Sequence, residues 1–285
     1  MKRIVLLILL ITSLGFSQRR AMLQKITAAP PPSGFLLDNY PTLSAYSLRR
    51  LSSSTTNVIR VQRSNNDELD FTPEEIEDGT LLSWITATGT IGYVVTIYKQ
   101  GAGAANNTTG TAGTNRNLIY DSGFVVDNGK KAIGAIGGGS IDLTLASSET
   151  AQTVFVVTRD TNPNNLAVCY VIGSNTDVDG VRTSGTVITG IGAYTQSNNS
   201  VNSTVEDAFQ HLITINTNQG NVRVDGVQEA NGTMGSIIWN IIGRRNFNGP
   251  FGITGYFQEV IWSNDNQTAN ISAIEADINA YYGIY

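Results

Sequence analysis

The last third of the chain constrains the fold most. Asn221-Val-Arg-Val-Asp-Gly-Val227 alternates apolar and polar residues and breaks at Asp225-Gly226. That dipeptide suits a two-residue hairpin whose central residues both need positive φ. Ile241-Ile-Gly-Arg-Arg-Asn-Phe-Asn-Gly249 then runs a strand into a glycine-containing turn, and Gly255-Tyr-Phe-Gln-Glu-Val-Ile-Trp262 has the period of a strand again. His211-Leu-Ile-Thr-Ile215 supplies one more strand just upstream. Strands joined by turns, without crossover helices, predict antiparallel sheet.

Composition agrees. Of 285 residues only 14% are charged, and 29 are glycine, a mixture that suits short strands joined by polar turns. The length fits one all-β domain, which commonly reaches about 200–250 residues. A net charge of −5, with no basic cluster beyond Arg49-Arg50 and Arg244-Arg245, excludes nucleic acid as a partner. Cys169 is the single cysteine, so no intrachain disulfide can form; within the apolar run Leu166–Ile172 it reads as a small core residue, not a reactive thiol. With one histidine in the chain, a His/Cys zinc site is excluded as well.

Residues 1–18 pair Lys2-Arg3 with a short apolar run ending at Gly15-Phe-Ser-Gln18, the pattern of an export signal. Residues 19–35, with Pro30-Pro31-Pro32, read as a stiff tether. Residues 36–285 show no repeat and no second break, and form one domain. Within it, Leu43, Ala45, Leu48 and Leu51 fall on a short helical face, and Val58–Arg63 is a strand. Thr72-Pro-Glu-Glu75 is a capping box whose helix continues through Leu81, Leu82, Trp84 and Ile85, with Gly79 as an interruption. Further strands are expected at Gly92–Tyr98, Gln152–Thr158, Leu166–Ile172 and Thr186–Ile191. Ile271, Ile274, Ile278 and Tyr281 make the stripe of a terminal helix that stops at Gly283.

The succession of strand, Val-Asp-Gly hairpin, Ile-Gly strand and Glu-Val strand resembles the closing half of a concanavalin A-like domain of the laminin-G-like kind. Ala45–Arg49, Ile59–Ser64, Leu69-Asp-Phe71 and Thr96–Gly101 resemble an N-terminal half found in secreted and phage-encoded proteins of the Bacteroidetes group. That half is distantly similar to the catalytic domain of arabinofuranosidase B. The resemblance implies an all-β, concanavalin A-like antiparallel β-sandwich (jelly roll) with a short C-terminal helix, and a leaning toward glycans. Two departures speak against hydrolysis. Lys99 stands where the arabinofuranosidases carry Asp, and Arg245, after Ile242-Gly-Arg, stands where the acid Asp would follow an Ile-Gly-Gly strand end. An arginine donates no proton at neutral pH. Glu259 is left as a candidate carboxylate, and no catalytic residue is assigned.

Two candidate sites remain. Phe247 sits between Asn246 and Asn248 in a turn that also holds Arg244 and Arg245; an aromatic face with flanking amides suits a sugar ring. The other reading is a turn whose Phe folds under the sheet edge. Asn175, Asp177 and Asp179, followed by Gly180, match the opening of a calcium loop, although Thr186 stands where a bidentate Glu belongs; an Asx-rich turn is the alternative. No cofactor is required, and calcium is the one ion this loop would take. Of the other aromatics, Trp84 and Tyr194 could serve a ligand, whereas Trp239 and Trp262 read as core. His211 reads as structural, and Gly137-Gly-Gly139 is no phosphate loop, since no Lys-Ser/Thr follows. The expectation is a secreted or cell-surface, non-catalytic domain that binds a glycan or surface polysaccharide. The alternative is a structural or receptor-binding component of a virion or surface assembly, self-associating through strand edges, and the third reading is an arabinofuranosidase-like hydrolase.

Overall fold

The computed structural model describes residues 34–110, 117–135, 140–161, 169–174, 179–184, 190–195, 199–205, 207–244 and 252–285. The signal-like segment, nearly all of the tether and most of the expected strand Thr186–Ile191 lie outside them.

The N-terminal part comprises α1 (Leu36–Asn39), β1 (Ser44–Ser47), β2 (Ile59–Arg63), β3 (Glu68–Phe71), α2 (Pro73–Glu77), α3 (Thr80–Thr86) and β4 (Ile91–Ile97). Short strands follow as β5 (Gln100–Gly101), β6 (Thr108–Gly110), β7 (Leu118–Asp121), β8 (Val126–Asp127), β9 (Lys130–Lys131) and β10 (Ile133–Gly134). The centre holds β11 (Leu143–Ala151), β12 (Thr153–Asp160), β13 (Cys169–Gly173), β14 (Gly180–Ser184), β15 (Gly192–Thr195) and β16 (Asn199–Asn202). The closing part is β17 (Gln210–Asn216), β18 (Asn221–Val224), β19 (Val227–Asn231), β20 (Ile237–Ile242), β21 (Gly255–Ser263) and α4 (Ile271–Tyr282).

These strands form an all-β sandwich. The larger sheet runs β19-β18-β17-β12-β21-β10-β7-β4-β2-β3, with β1 beside β21 and β5 beside β1. The smaller runs β16-β15-β14-β13-β20-β11-β6. Between the sheets lies the main core, which takes Val154 and Val156 of β12, Val260 and Trp262 of β21, and Trp239 of β20. Tyr46, Trp239 and Trp262 meet there as an aromatic trio with centroids 5.0–6.1 Å apart, so both tryptophans are core residues, as their apolar neighbours imply. The alternate residues Phe155, Val157 and Ile261 face the other way, onto Ile271, Ile274, Ile278 and Tyr282 of α4. Burial on both faces explains why β12 reads as a continuous apolar run instead of alternating.

One expected element is corrected. Leu43–Leu51 does not form a helix, because β1 lies between β21 and β5 and exchanges its backbone hydrogen bonds with them. Ala45 faces the α4 side and Tyr46 the inter-sheet core, which is the period of a strand. The terminal helix is also turned slightly from expectation: Tyr282 fills the buried stripe, while Tyr281 stays half-buried and takes Arg49 and Lys130 over its ring. Its stop is Gly283 at φ 65°, a left-handed conformation that glycine adopts without strain. The hairpin Asp225-Gly226 has φ 52° and 75°, as a type I′ turn requires.

The capping box forms. The Glu75 amide donates to Thr72 Oγ1 at 3.2 Å, and the Thr72 amide donates to Glu75 Oε2 at 2.9 Å. Gly79, at φ 95°, divides α2 from α3. Thr72→Ala is expected to lower stability by about 1 kcal/mol with no change in the slope of urea unfolding; an unchanged midpoint would show that packing of Ile76 alone holds α2.

Candidate functional site

The expected ligand loop is only partly described. Arg244 is 8% exposed and its Nη2 lies 2.8 Å from Asp142 Oδ2, so it anchors the base of the loop; Arg245, Asn246, Phe247 and Asn248 lie outside the described residues. Of the calcium loop, Asn175 and Asp177 likewise lie outside. Asp179 is 1% exposed, and its Oδ2 accepts from the Ile238 amide at 3.1 Å, which ties the start of β14 to β20. Among the described residues no three His, Cys, Asp or Glu side chains are grouped to hold a metal. Lys99 pairs with Glu149 at 2.9 Å and lies over the Trp262 ring. Glu259 is 1% exposed and accepts from Ser47 and Arg49 inside the protein.

A different region gathers ligand-type chemistry. A cleft of about 440 Å³ opens between the β8–β9 hairpin (Asp127, Asn128), Arg159 near the end of β12, the segment Asp207–His211 entering β17, the β18–β19 turn (Asp225) and the chain end at Gly283-Ile284. Phe209 stands on its rim with 71% of its surface exposed. Nothing in the core recruits that ring. Instead its backbone is fixed from below, where the Phe209 amide donates to Asp207 Oδ1 at 2.9 Å.

The floor is polar and tightly connected. Gln258 of β21 is buried, and its Nε2 donates to the backbone oxygen of Asp127 at 3.1 Å. Its Oε1 therefore faces Gln210 and accepts from Gln210 Nε2. That chain fixes which way the Gln210 amide points, and leaves Gln210 Oε1 buried without a hydrogen-bond partner. Asp127 is 3% exposed; its Oδ1 accepts from Arg159 Nη1 at 3.1 Å, while Oδ2 is also buried without a partner. Burial pushes the Asp127 carboxyl above the usual carboxylate range, and the bond and charge of Arg159, with the Asn128 backbone amide, offset only part of this. Arg159 also donates from Nε to the Ala208 oxygen at 2.7 Å, so one guanidinium holds both walls.

His211 forms the third side. Its Nδ1 lies 2.9 Å from Asp225 Oδ2 and its Nε2 lies 2.8 Å from Asp207 Oδ1. Burial opposes charge on the ring, but the bonds and charges of Asp225 and Asp207 outweigh it and raise its pKa. A ring flanked by acceptors at both nitrogens fits the imidazolium, the one form that donates from both. His211 thus joins Asp207 and Asp225 and supports the cleft.

Sequence reading missed this site because its parts come from five separate segments. The one local signal is Phe209, an aromatic beside Asp207 and ahead of an apolar strand, where a polar lead-in is the norm.

Comparison with known proteins gives fold-level information. No family model and no curated protein matches the chain. Among solved structures it is similar to a mutant GH54 α-L-arabinofuranosidase soaked with 4-nitrophenyl α-L-arabinofuranoside, at 16% identity and a TM-score of 0.49. The match covers 83% of this chain and 62% of that one. It gives the expectation of a non-catalytic binding or virion-assembly domain no support, since the neighbour is an arabinofuranosidase. A likeness of this size carries no activity across.

Proposed function

We propose that this protein engages carbohydrate in the cleft formed by Asp127, Arg159, Phe209 and Gln210. The observation that carries the reading is a pair of buried acceptors without partners, Asp127 Oδ2 and Gln210 Oε1, on residues that line the same cleft as an exposed aromatic ring. Buried polar atoms are nearly always hydrogen-bonded, and unsatisfied ones mark strain or a missing partner. Saccharides bring hydroxyl donors for such atoms and apolar C–H faces for the aromatic ring. Recognition is the subject of the proposal; it precedes any chemistry. Its finer kinship, to the laminin-G-like branch of concanavalin A-like domains, rests on the C-terminal strand pattern. Export directed by residues 1–18 would place the cleft where extracellular glycans are met.

The test is a glycan-array screen of the full chain, followed by calorimetry with Phe209→Ala. The expected result is about a tenfold loss of affinity, equal to about 1.4 kcal/mol, with an unchanged unfolding midpoint, since the ring is exposed. Equal binding by wild type and variant would overturn the assignment, as would a screen in which no saccharide binds.

A further inference from the structure

We infer that the cleft discriminates by charge: it takes saccharides that present free hydroxyl donors and rejects uronic and sulfated sugars, with Asp127 as the residue that sets this preference. The inference rests on the carbohydrate reading above.

Three observations support it. First, both unpartnered atoms, Asp127 Oδ2 and Gln210 Oε1, are acceptors, so whatever satisfies them must donate. A carboxylate or sulfate ester placed there offers oxygen lone pairs and adds repulsion. Second, most donors around the cleft already have acceptors: Arg159 Nε bonds Ala208 O and its Nη1 bonds Asp127, Asn128 Nδ2 bonds Tyr282 O at 2.8 Å, Gln210 Nε2 bonds Gln258, and both His211 nitrogens face carboxylates. Among these groups an incoming anion meets only the remaining N–H groups of Arg159, whose charge Asp127 already balances. Third, three carboxylates (Asp127, Asp207, Asp225) face two cationic groups (Arg159, His211), leaving the site negative. Asp127 is the most deeply set of the three carboxylates, and charge interactions strengthen where water is excluded.

The experiment is calorimetric titration of the full chain at pH 7 with matched oligosaccharide pairs: glucose and galactose oligomers against oligomers of glucuronate and galacturonate. The expected result is binding of at least one neutral oligomer and at least tenfold weaker binding of its uronate counterpart. Asp127→Asn is expected to weaken the neutral ligand and to narrow discrimination to less than threefold, because the amide keeps the shape but not the charge. Gln210→Leu provides the control if Asp127→Asn unfolds: it removes one acceptor and no charge, so neutral affinity should fall with discrimination retained. Uronates that bind as tightly as their neutral counterparts would overturn the charge inference and leave the carbohydrate reading intact. If neither set binds, nor anything on the array, the carbohydrate reading fails first. Discrimination that survives Asp127→Asn in a folded protein, or is abolished by Gln210→Leu, removes Asp127 from its assigned role.

Discussion

Arg49→Ala should destabilise the protein by about 3–5 kcal/mol, the usual cost of stripping one partner from a buried ion pair. Glu259 sits in the middle of β21, 1% exposed, with β1 on one side and β12 on the other. Arg49 reaches it with two bonds, Nε to Oε2 at 2.9 Å and Nη2 to Oε1 at 3.1 Å, and extends Nη1 to Asp277 of α4 at 2.9 Å. One side chain thereby joins the segment after β1, the central strand and the terminal helix. Its removal leaves Glu259 with the hydroxyls of Ser47 at 2.7 Å and Tyr282 at 3.5 Å, and no cation. Adding Glu259→Gln should restore part of the loss, because the uncompensated charge is gone. Urea unfolding of the three proteins at pH 7 decides the matter. A single-variant loss below about 1 kcal/mol would mean that water reaches Glu259 and that the pair behaves as a surface bridge.

Much of the fold was legible because it is locally encoded. Thr72 and Glu75 announce their capping box within four residues, and Asp225-Gly226 can hardly be anything but a tight hairpin. The stripe of α4 is written at helical spacing, since a single face is buried. Leu43–Leu51 misled because four apolar positions mimic a helical face; the β1 register that decides the matter is supplied by β5 and β21, the second more than two hundred residues away. The cleft was illegible for the same reason. Asp127, Arg159, Gln210 and Gln258 mean nothing in their own neighbourhoods, and only sheet pairing sets Gln258 beneath Asp127 and beside Gln210. At 244–248, between Gly243 and Gly249, aromatic and amide residues are adjacent in sequence, which is what made that turn the legible candidate. The clearest described group is assembled from residues adjacent only in space.

The second large effect concerns pH. His211 is the chain's single histidine, and its folded pKa lies above the ordinary value of about 6.5. A raised folded pKa means that the native state holds the proton more tightly than the unfolded chain does. The resulting stability is complete below about pH 6.5 and is lost as the pH rises through the higher, folded value. Neutral imidazole can donate from one nitrogen alone, so either Asp207 Oδ1 or Asp225 Oδ2 would then face a lone pair. Hydrogen bonds to charged groups contribute about 1.5–3 kcal/mol each. The Asp207 side chain is 39% exposed and its share is reduced by solvent, which leaves about 2 kcal/mol as the expected fall. The consequence reaches the cleft. Asp207 Oδ1 also accepts from the Phe209 amide, and Asp225 Oδ1 accepts from the Leu212 amide at 3.0 Å, so discharge of the ring frees the support of the aromatic rim. Saccharide affinity should weaken over the same interval in which stability falls, with Arg159 and Asp127 holding the far wall throughout. His211→Gln should flatten both curves at the lower level. The imidazole C–H resonances, unambiguous in a protein with one histidine, report the titration directly. A ring that titrates at or below 6.5, or a Gln variant with an unchanged pH slope, would place the switch elsewhere.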